Sequence, residues 1–219
     1  MTALPAPLLV ITDRHQARLG LEATAEAVGQ GGGRWLMLRD KDLDPAARRG
    51  LAVRLAEIAR RHGMHFSVSR DVDLAAELGA SVHLQAAAAV SAARRRLGPG
   101  ALIGVSAHGL GDVAAAAGAG ADYVTLSPIF LTASKPGYGP ALGLAALGPA
   151  AEFGIPVIAL GGVAADAVGP CLDAGARGVA VMGEIMRSGN PGRTVAGLLA
   201  ACGAATVDLE IPTGLVGRR

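Results

Sequence analysis

The sequence predicts an α/β chain closed into a single (β/α)8 TIM barrel. Three observations predict it. Short apolar runs alternate with helical patterns eight times along the 219 residues, the pattern of a parallel sheet with right-handed crossovers. No antiparallel hairpin interrupts the alternation, which favours closure over an open doubly wound sheet. Two consecutive runs near the C-terminus, Ile158-Ala159-Leu160-Gly161-Gly162-Val163 and Gly178-Val179-Ala180-Val181-Met182-Gly183, carry glycine where the strand gives way to a helical pattern. Glycine there lets backbone N–H groups approach a ligand, and barrels of this kind cradle phosphate after strands 7 and 8. The same glycines would also serve as plain tight turns.

Taken in order, the strands are expected at Leu8–Thr12, Trp35–Arg39, Met64–Val68, Ser81–Leu84, Leu102–Ser106, Tyr123–Ser127, Val157–Leu160 and Val179–Met182. Each is a short Val-, Ile- or Leu-rich run, as parallel strands buried on both faces require. The helices are expected at Leu19–Gln30, Pro45–His62, Asp71–Leu78, Ala87–Leu97, Gly109–Ala117, Leu142–Phe153, Ala164–Ala174 and Pro191–Ala201. One barrel domain over residues 1–203 follows, with a Pro- and Gly-containing tail at 204–219 predicted to be partly disordered. The segment from Pro128 to Leu142 is the longest gap between a strand and its helix, and long loops at that end of a barrel hold lids and substrate contacts.

Hydrophobic residues make up 51% of the chain, enough for a large core. The net charge of +2 is too small to argue for nucleic acid. The basic run Arg94-Arg95-Arg96 reads as a solvated helix end. Cys171 and Cys202 form neither a disulfide framework nor a metal spacing and are expected reduced and buried. The start, MTALPAPLLVITD, has no basic region before its apolar run. No apolar stretch is long enough to span a bilayer. A cytoplasmic protein without membrane contact is expected, and its Ala/Leu-rich outer helices allow a homodimer.

Several residues stand where chemistry would occur. Arg39 and Lys41 end the second strand and suit a phosphate or pyrophosphate, Arg as a fork and Lys as a point charge. They could equally form a surface salt-bridge cluster with Asp40. Lys135 and Thr132 lie in the long loop, where Lys135 would add a third cation. Ser106 ends strand 5 and could donate to a phosphate oxygen. His108, two residues on, could donate a proton or be structural. His83 lies inside strand 4, as a core or wall residue or as a second acid/base candidate. His15, His62 and His65 read as surface or element-end positions. Backbone N–H groups of Gly161, Gly162, Met182 and Gly183 would hold the phosphate. No Cys/His/Asp arrangement has metal spacing.

These residues resemble the thiamine-phosphate synthase/TenI superfamily from about Leu8 to Leu199. The resemblance rests on Val10-Ile11-Thr12-Asp13, Leu38-Arg39-Asp40-Lys41, Val72-Asp73-Leu74-Ala75, Val82-His83-Leu84, Ile103-Gly104-Val105-Ser106-Ala107-His108, Ala121-Asp122-Tyr123-Val124, Pro128-Ile129-Phe130, Thr132-Ala133-Ser134-Lys135, Ile155-Pro156-Val157-Ile158-Ala159-Leu160-Gly161-Gly162 and Gly178-Val179-Ala180-Val181-Met182. It implies a TIM barrel of thiamine biosynthesis that binds a thiazole phosphate.

Within that superfamily the synthase joins a pyrimidine diphosphate to a thiazole phosphate with Mg²⁺. The resemblance implies an Asn-Asp pair after strand 3, and this chain has Ser69-Arg70. It implies an acidic Gln-Glu-Asp-Leu-Pro segment after strand 4, and this chain has Ala86-Ala87-Ala88-Ala89-Val90. The pyrimidine-holding Gln of the second strand is Met37. Arg70 or Asp71 would have to compensate. The TenI branch lacks the acidic ligands too. Its implied activity, tautomerising a thiazole carboxylate phosphate, needs an acid/base but no metal. Its working His corresponds to Pro128 here, so His108 or His83 would substitute. From sequence alone the expected function is therefore a TenI-like thiazole tautomerase using no cofactor. A thiamine-phosphate synthase with an altered Mg²⁺/diphosphate site comes second, and a catalytically silent, phosphate-binding regulatory barrel third.

Overall fold

The computed structural model describes residues 3–131 and 140–203. Eight parallel strands close into a barrel in sequence order: β1 (Leu8–Ile11), β2 (Trp35–Leu38), β3 (His65–Ser69), β4 (Ser81–Leu84), β5 (Ile103–Ala107), β6 (Tyr123–Leu126), β7 (Val157–Leu160) and β8 (Gly178–Val181). Closure is the β1–β8 pairing, with Leu8 opposite Val179 and Val10 opposite Val181. The helices are α1 (Leu21–Gln30), α2 (Pro45–Arg61), α3 (Val72–Leu78), α4 (Val90–Leu97), α5 (Leu110–Gly118), α6 (Leu147–Ala151), α7 (Ala165–Asp173), α8 (Gly183–Met186) and α9 (Pro191–Gly203).

Local chemistry sets the helix ends. Asp44 caps α2 through the Ala47 N–H at 3.0 Å, with Pro45 in the first turn. Asp71 caps α3 through the Leu74 N–H at 3.0 Å, and Gly79 ends it with φ 60. The expected helix at 142–153 is shorter. A 3₁₀ turn at Leu144–Ala146 leads into α6. The four-residue α8 was not expected, because a single turn carries too little periodicity to be read.

The core has two parts. The larger lies between the strands and the helices. The smaller fills the barrel interior with Leu9, Ile11, Trp35, Met37, Tyr123 and Ile158. Burying a side chain of this size contributes roughly 2 kcal/mol. The interior is unequal around its circumference. From β7 round to β2 it is apolar, whereas β3 to β6 turn Ser67, Ser81, His83, Ser106 and Thr125 inward. These polar groups are paired: Trp35 Nε1–H donates to Ser67 Oγ at 3.0 Å, and His65 Nε2 lies 2.8 Å from Ser81 Oγ. His65 stands at the start of β3, the element-end position expected, with its ring bonded inside the barrel, and burial pushes its pKa down to about 4. Tyr123 fits inside because residue 104 is glycine: a Cβ there would lie 2.1 Å from the tyrosine Cζ.

Cys171 and Cys202 are buried and unpaired, as expected, and burial raises both thiols to about 11. Arg94 and Arg96 end α4 in ion pairs with Asp122 and Asp73. Among the described residues, no helix is long and apolar enough to cross a membrane. The expected tail 204–219, Thr132 and Lys135 lie outside the described residues.

Candidate active site

The C-terminal ends of the strands surround a cavity of about 960 Å³. Arg39, Lys41, His83, Ser106, His108 and the four cradle residues Gly161, Gly162, Met182 and Gly183 all line it. The structure thus brings together every described residue that the sequence singled out as a site candidate.

At the β7–β8 end, Gly161 and Gly162 have φ of 99° and 65°. Both are also crowded by the chain leaving β6. A Cβ at Gly161 would lie 2.9 Å from Pro128 Cα, and one at Gly162 would lie 2.5 Å from the Leu131 carbonyl oxygen. Phe130 N–H donates to Gly161 O at 2.9 Å. These glycines therefore fix the β6 loop against the β7 turn. Among the described residues, the N–H groups of Gly161, Gly162, Met182 and Gly183 donate to no other backbone group, so they remain available donors. The loop after α8 adds residues that sequence reasoning missed: Arg187, which bonds Gln16 Oε1, and Ser188, whose Oγ lies 2.8 Å from Thr194 Oγ1. Recognising α8 would have pointed to them.

The wall between β4 and β6 is a hydrogen-bonded set. His83 Nδ1 lies 3.0 Å from the Tyr123 hydroxyl, and its Nε2 lies 3.1 Å from Ser106 Oγ and 3.3 Å from Thr125 Oγ1. Burial pushes His83 down to about 4, so the ring is neutral at pH 7. Burial also raises the Tyr123 phenol far above its ordinary value, which keeps it protonated. Assigning the phenol as donor to Nδ1 leaves Nε2–H to donate toward Ser106, whose own O–H can then turn into the cavity. His83 thus lines the cavity wall as a ring held between Tyr123 and Ser106, placed to orient the Ser106 hydroxyl. His108 stands exposed at the rim. Its Nδ1 lies 2.9 Å from the Ser127 carbonyl, so in the neutral ring Nδ1–H donates and Nε2 carries the lone pair.

At the β2 end, Asp40 does not pair with Arg39 or Lys41. It is buried, accepting from Thr12 Oγ1 at 2.6 Å and Arg14 N–H at 2.7 Å. The surface cluster considered for Asp40 is therefore absent, because Asp40 is spent on joining the β1 and β2 loops. Arg39 lies 3.6 Å from Asp13. Lys41 takes part in no ion pair among the described residues.

Beside it, Arg70 has φ 70, the sole positive φ of a non-glycine among the described residues. Asp71 N–H donates to Ser69 O at 2.9 Å across it, making a γ-turn centred on Arg70. The buried Arg48 clamps this turn, with Nη2 2.7 Å from Ser69 O and Nη1 2.8 Å from Asp71 Oδ2. Arg70 itself lines the cavity and takes part in no ion pair among the described residues.

These donors do not fit a Mg²⁺ ion, which takes oxygen ligands, usually including carboxylates. Asp71 is committed to the α3 cap and to Arg48. Ala86 to Ala89 offer no side-chain oxygen. Glu184, next to the β8 turn, is the sole carboxylate lining the cavity among the described residues, where Arg39, Lys41, Arg70 and Arg187 also face it. Burial, and next the charge of Asp166, raise the Glu184 pKa. No group of three or more His, Cys, Asp or Glu among the described residues could hold a metal.

Fold and site together define a (β/α)8-barrel protein with a cationic C-terminal mouth. The chain belongs to the TMP-TENI family, thiamine monophosphate synthase, which residues 8–185 match. A Geobacter sulfurreducens protein provisionally named a thiamine-phosphate synthase is 39% identical over 212 residues, covering 95% of this chain and 100% of the relative. The thiamine-phosphate synthase of Chromobacterium violaceum is 40% identical over 168 residues, 75% of this chain and 81% of that one. The solved thiamine phosphate pyrophosphorylase of Pyrococcus furiosus superposes with a TM-score of 0.80 at 25% identity, covering 91% of this chain and 96% of the other.

Proposed function

We propose that this protein is a transferase of the thiamine-phosphate synthase kind. It joins a thiazole phosphate, anchored at the β7–β8 turns, to a pyrimidine whose diphosphate lies at the β2–β4 ends. The observation that carries this reading is the cavity's two ends. Among the described residues, one offers unspent backbone donors, and the other offers Lys41 and Arg70 without ion-pair partners. A tautomerase needs one phosphate anchor and an acid/base, and it has no use for the second end. The cavity, about 960 Å³, lies at the upper end of the range for small-molecule sites, as two substrates require. The relatives' names favour the same reaction and reverse the ranking reached from sequence alone.

The reaction breaks the bond between the pyrimidine methylene carbon and the diphosphate oxygen, and the electron pair leaves on the diphosphate. The lone pair of the thiazole ring nitrogen makes the new C–N bond. This exchange moves no proton, so a neutral, buried His83 suffices. What the protein supplies is orientation and stabilisation of the charge growing on the leaving group. The Ser106 hydroxyl, set by His83, donates to a diphosphate oxygen, and Lys41 neutralises its charge. The hydrophobic faces of Ile11, Met37 and Leu160 exclude water from the reacting carbon.

The test is to mix the full chain with thiazole phosphate and the pyrimidine diphosphate, with Mg²⁺ and separately with EDTA. Thiamine phosphate and pyrophosphate should form together. Conversion of a thiazole carboxylate phosphate to its aromatic tautomer with no coupled product would establish the tautomerase instead. Binding with neither turnover would establish the silent barrel.

A further inference from the structure

We infer that the Ser69–Asp71 turn is a built anion site in which Arg70, with Lys41, binds a diphosphate without a metal ion. The inference rests on the transferase reading for the diphosphate's chemical role, and on the geometry of the turn for the site itself.

The backbone at Arg70 is held at φ 70, where an L side chain is strained. A helix cap alone does not demand this. Asp71 caps α3 from an ordinary extended conformation, and a glycine at position 70 would adopt φ 70 at no steric cost. The strain is retained with an arginine at its centre, and four hydrogen bonds impose it. Arg70 N–H donates to His83 O at 2.8 Å. The Arg48 guanidinium holds both Ser69 O and the Asp71 carboxylate. The Asp71 carboxylate also holds the Leu74 N–H.

The same contacts remove Arg70's natural partner. Asp71, the adjacent carboxylate, is occupied by a buried arginine, so Arg70, on the cavity lining, has no counter-ion among the described residues. Lys41 is its neighbour by register: Leu38 pairs with Val68, so the chain segments leaving β2 and β3 run side by side into the cavity. Glu184, the one carboxylate on the cavity wall among the described residues, belongs to the β8 end. Two uncompensated cations on adjacent strand ends repel a dication and suit a ligand with two adjacent phosphoryl groups. Arginine adds paired N–H donors that match phosphate oxygens.

The probe is inorganic pyrophosphate, titrated calorimetrically into the full chain in EDTA and again in Mg²⁺. Wild type should bind it in EDTA, and Arg70→Gly should weaken binding tenfold or more while its melting temperature stays the same or rises. Arg70→Lys should keep part of the affinity. Arg48→Met should weaken binding too, but with a lower melting temperature, as expected of a residue that acts by positioning Arg70. Wild-type binding that requires Mg²⁺ would overturn the inference, as would an Arg70→Gly affinity equal to wild type. Metal-free pyrophosphate binding without thiamine phosphate formation would leave this site standing and remove the transferase reading. Mg²⁺-dependent synthesis with Mg²⁺-dependent binding would do the reverse.

Discussion

Among the described residues, the unpartnered groups at the β7–β8 end of the cavity are the main-chain N–H groups of Gly161, Gly162, Met182 and Gly183, whereas at the β2–β3 end they are the side-chain cations Lys41 and Arg70, which form no ion pair. The first end presents main-chain donors set by glycines that a neighbouring loop crowds, with Glu184 and Arg187 on the wall beside them. The second is charged and depends on a strained turn clamped from α2. Backbone donors suit an anion that stays attached throughout the reaction. Side-chain cations suit an anion whose charge grows as its bond breaks, because a charged partner gains most where charge develops.

The contrast can be broken most forcefully at Gly162. Gly162→Val combines a left-handed φ with a clash against Leu131 O, so it should cost roughly 3 kcal/mol or more in stability. In the folded fraction it should weaken thiazole phosphate binding by roughly tenfold or more, with pyrophosphate affinity little changed. Calorimetry with each ligand checks both halves, and equal losses for the two would erase the distinction between the ends.

The wall between the ends gives a pH test. His83 and His65 both sit near pKa 4 in the folded chain and near 6.5 unfolded. The unfolded chain therefore binds more protons between those values. Stability is fully present above about pH 6.5 and falls as pH drops toward 4, by up to about 3 kcal/mol per histidine. Urea midpoints measured from pH 7.5 to 4.5 should fall, and His83→Gln should flatten part of that slope. An unchanged slope would mean His83 is not held neutral.

Smaller effects separate the cationic end from its support. Lys41→Gln should lower turnover about a hundredfold, the scale of losing one group that stabilises transition-state charge, with thiazole phosphate affinity retained. Ser106→Ala should cost about tenfold, one charge-assisted hydrogen bond. Steady-state kinetics with each substrate varied in turn would show both losses, and a raised KM for the thiazole phosphate alone would assign these residues to the wrong end.

The sequence exposed the two ends unequally. The barrel and its β7–β8 turns were legible because apolar runs and glycines are local signals, and strand limits fell within one or two residues. The polar interior of β3 to β6 was harder to see, since Ser67, Ser81 and Thr125 sit in otherwise apolar runs and only closure reveals which face they take. Arg70 was visible as an anomaly, but its turn was not. The clamp comes from Arg48, 21 to 23 residues away, and Ser69-Arg70-Asp71 by itself reads as the entry to a helix. The single-turn α8 hid Arg187 and Ser188. For His83, sequence left open a wall position and an acid/base, and only burial and the Tyr123 bond separate them.

The transferase reading requires the cavity to hold two anions at once, each at its own end. The direct measurement is a calorimetric titration of pyrophosphate, in EDTA, into protein already saturated with thiazole phosphate. Independent sites predict a pyrophosphate affinity within about threefold of that for the free protein, since separated sites couple weakly. Disappearance of the pyrophosphate binding signal on saturation with thiazole phosphate would mean one shared anion site and would rule out separate ends.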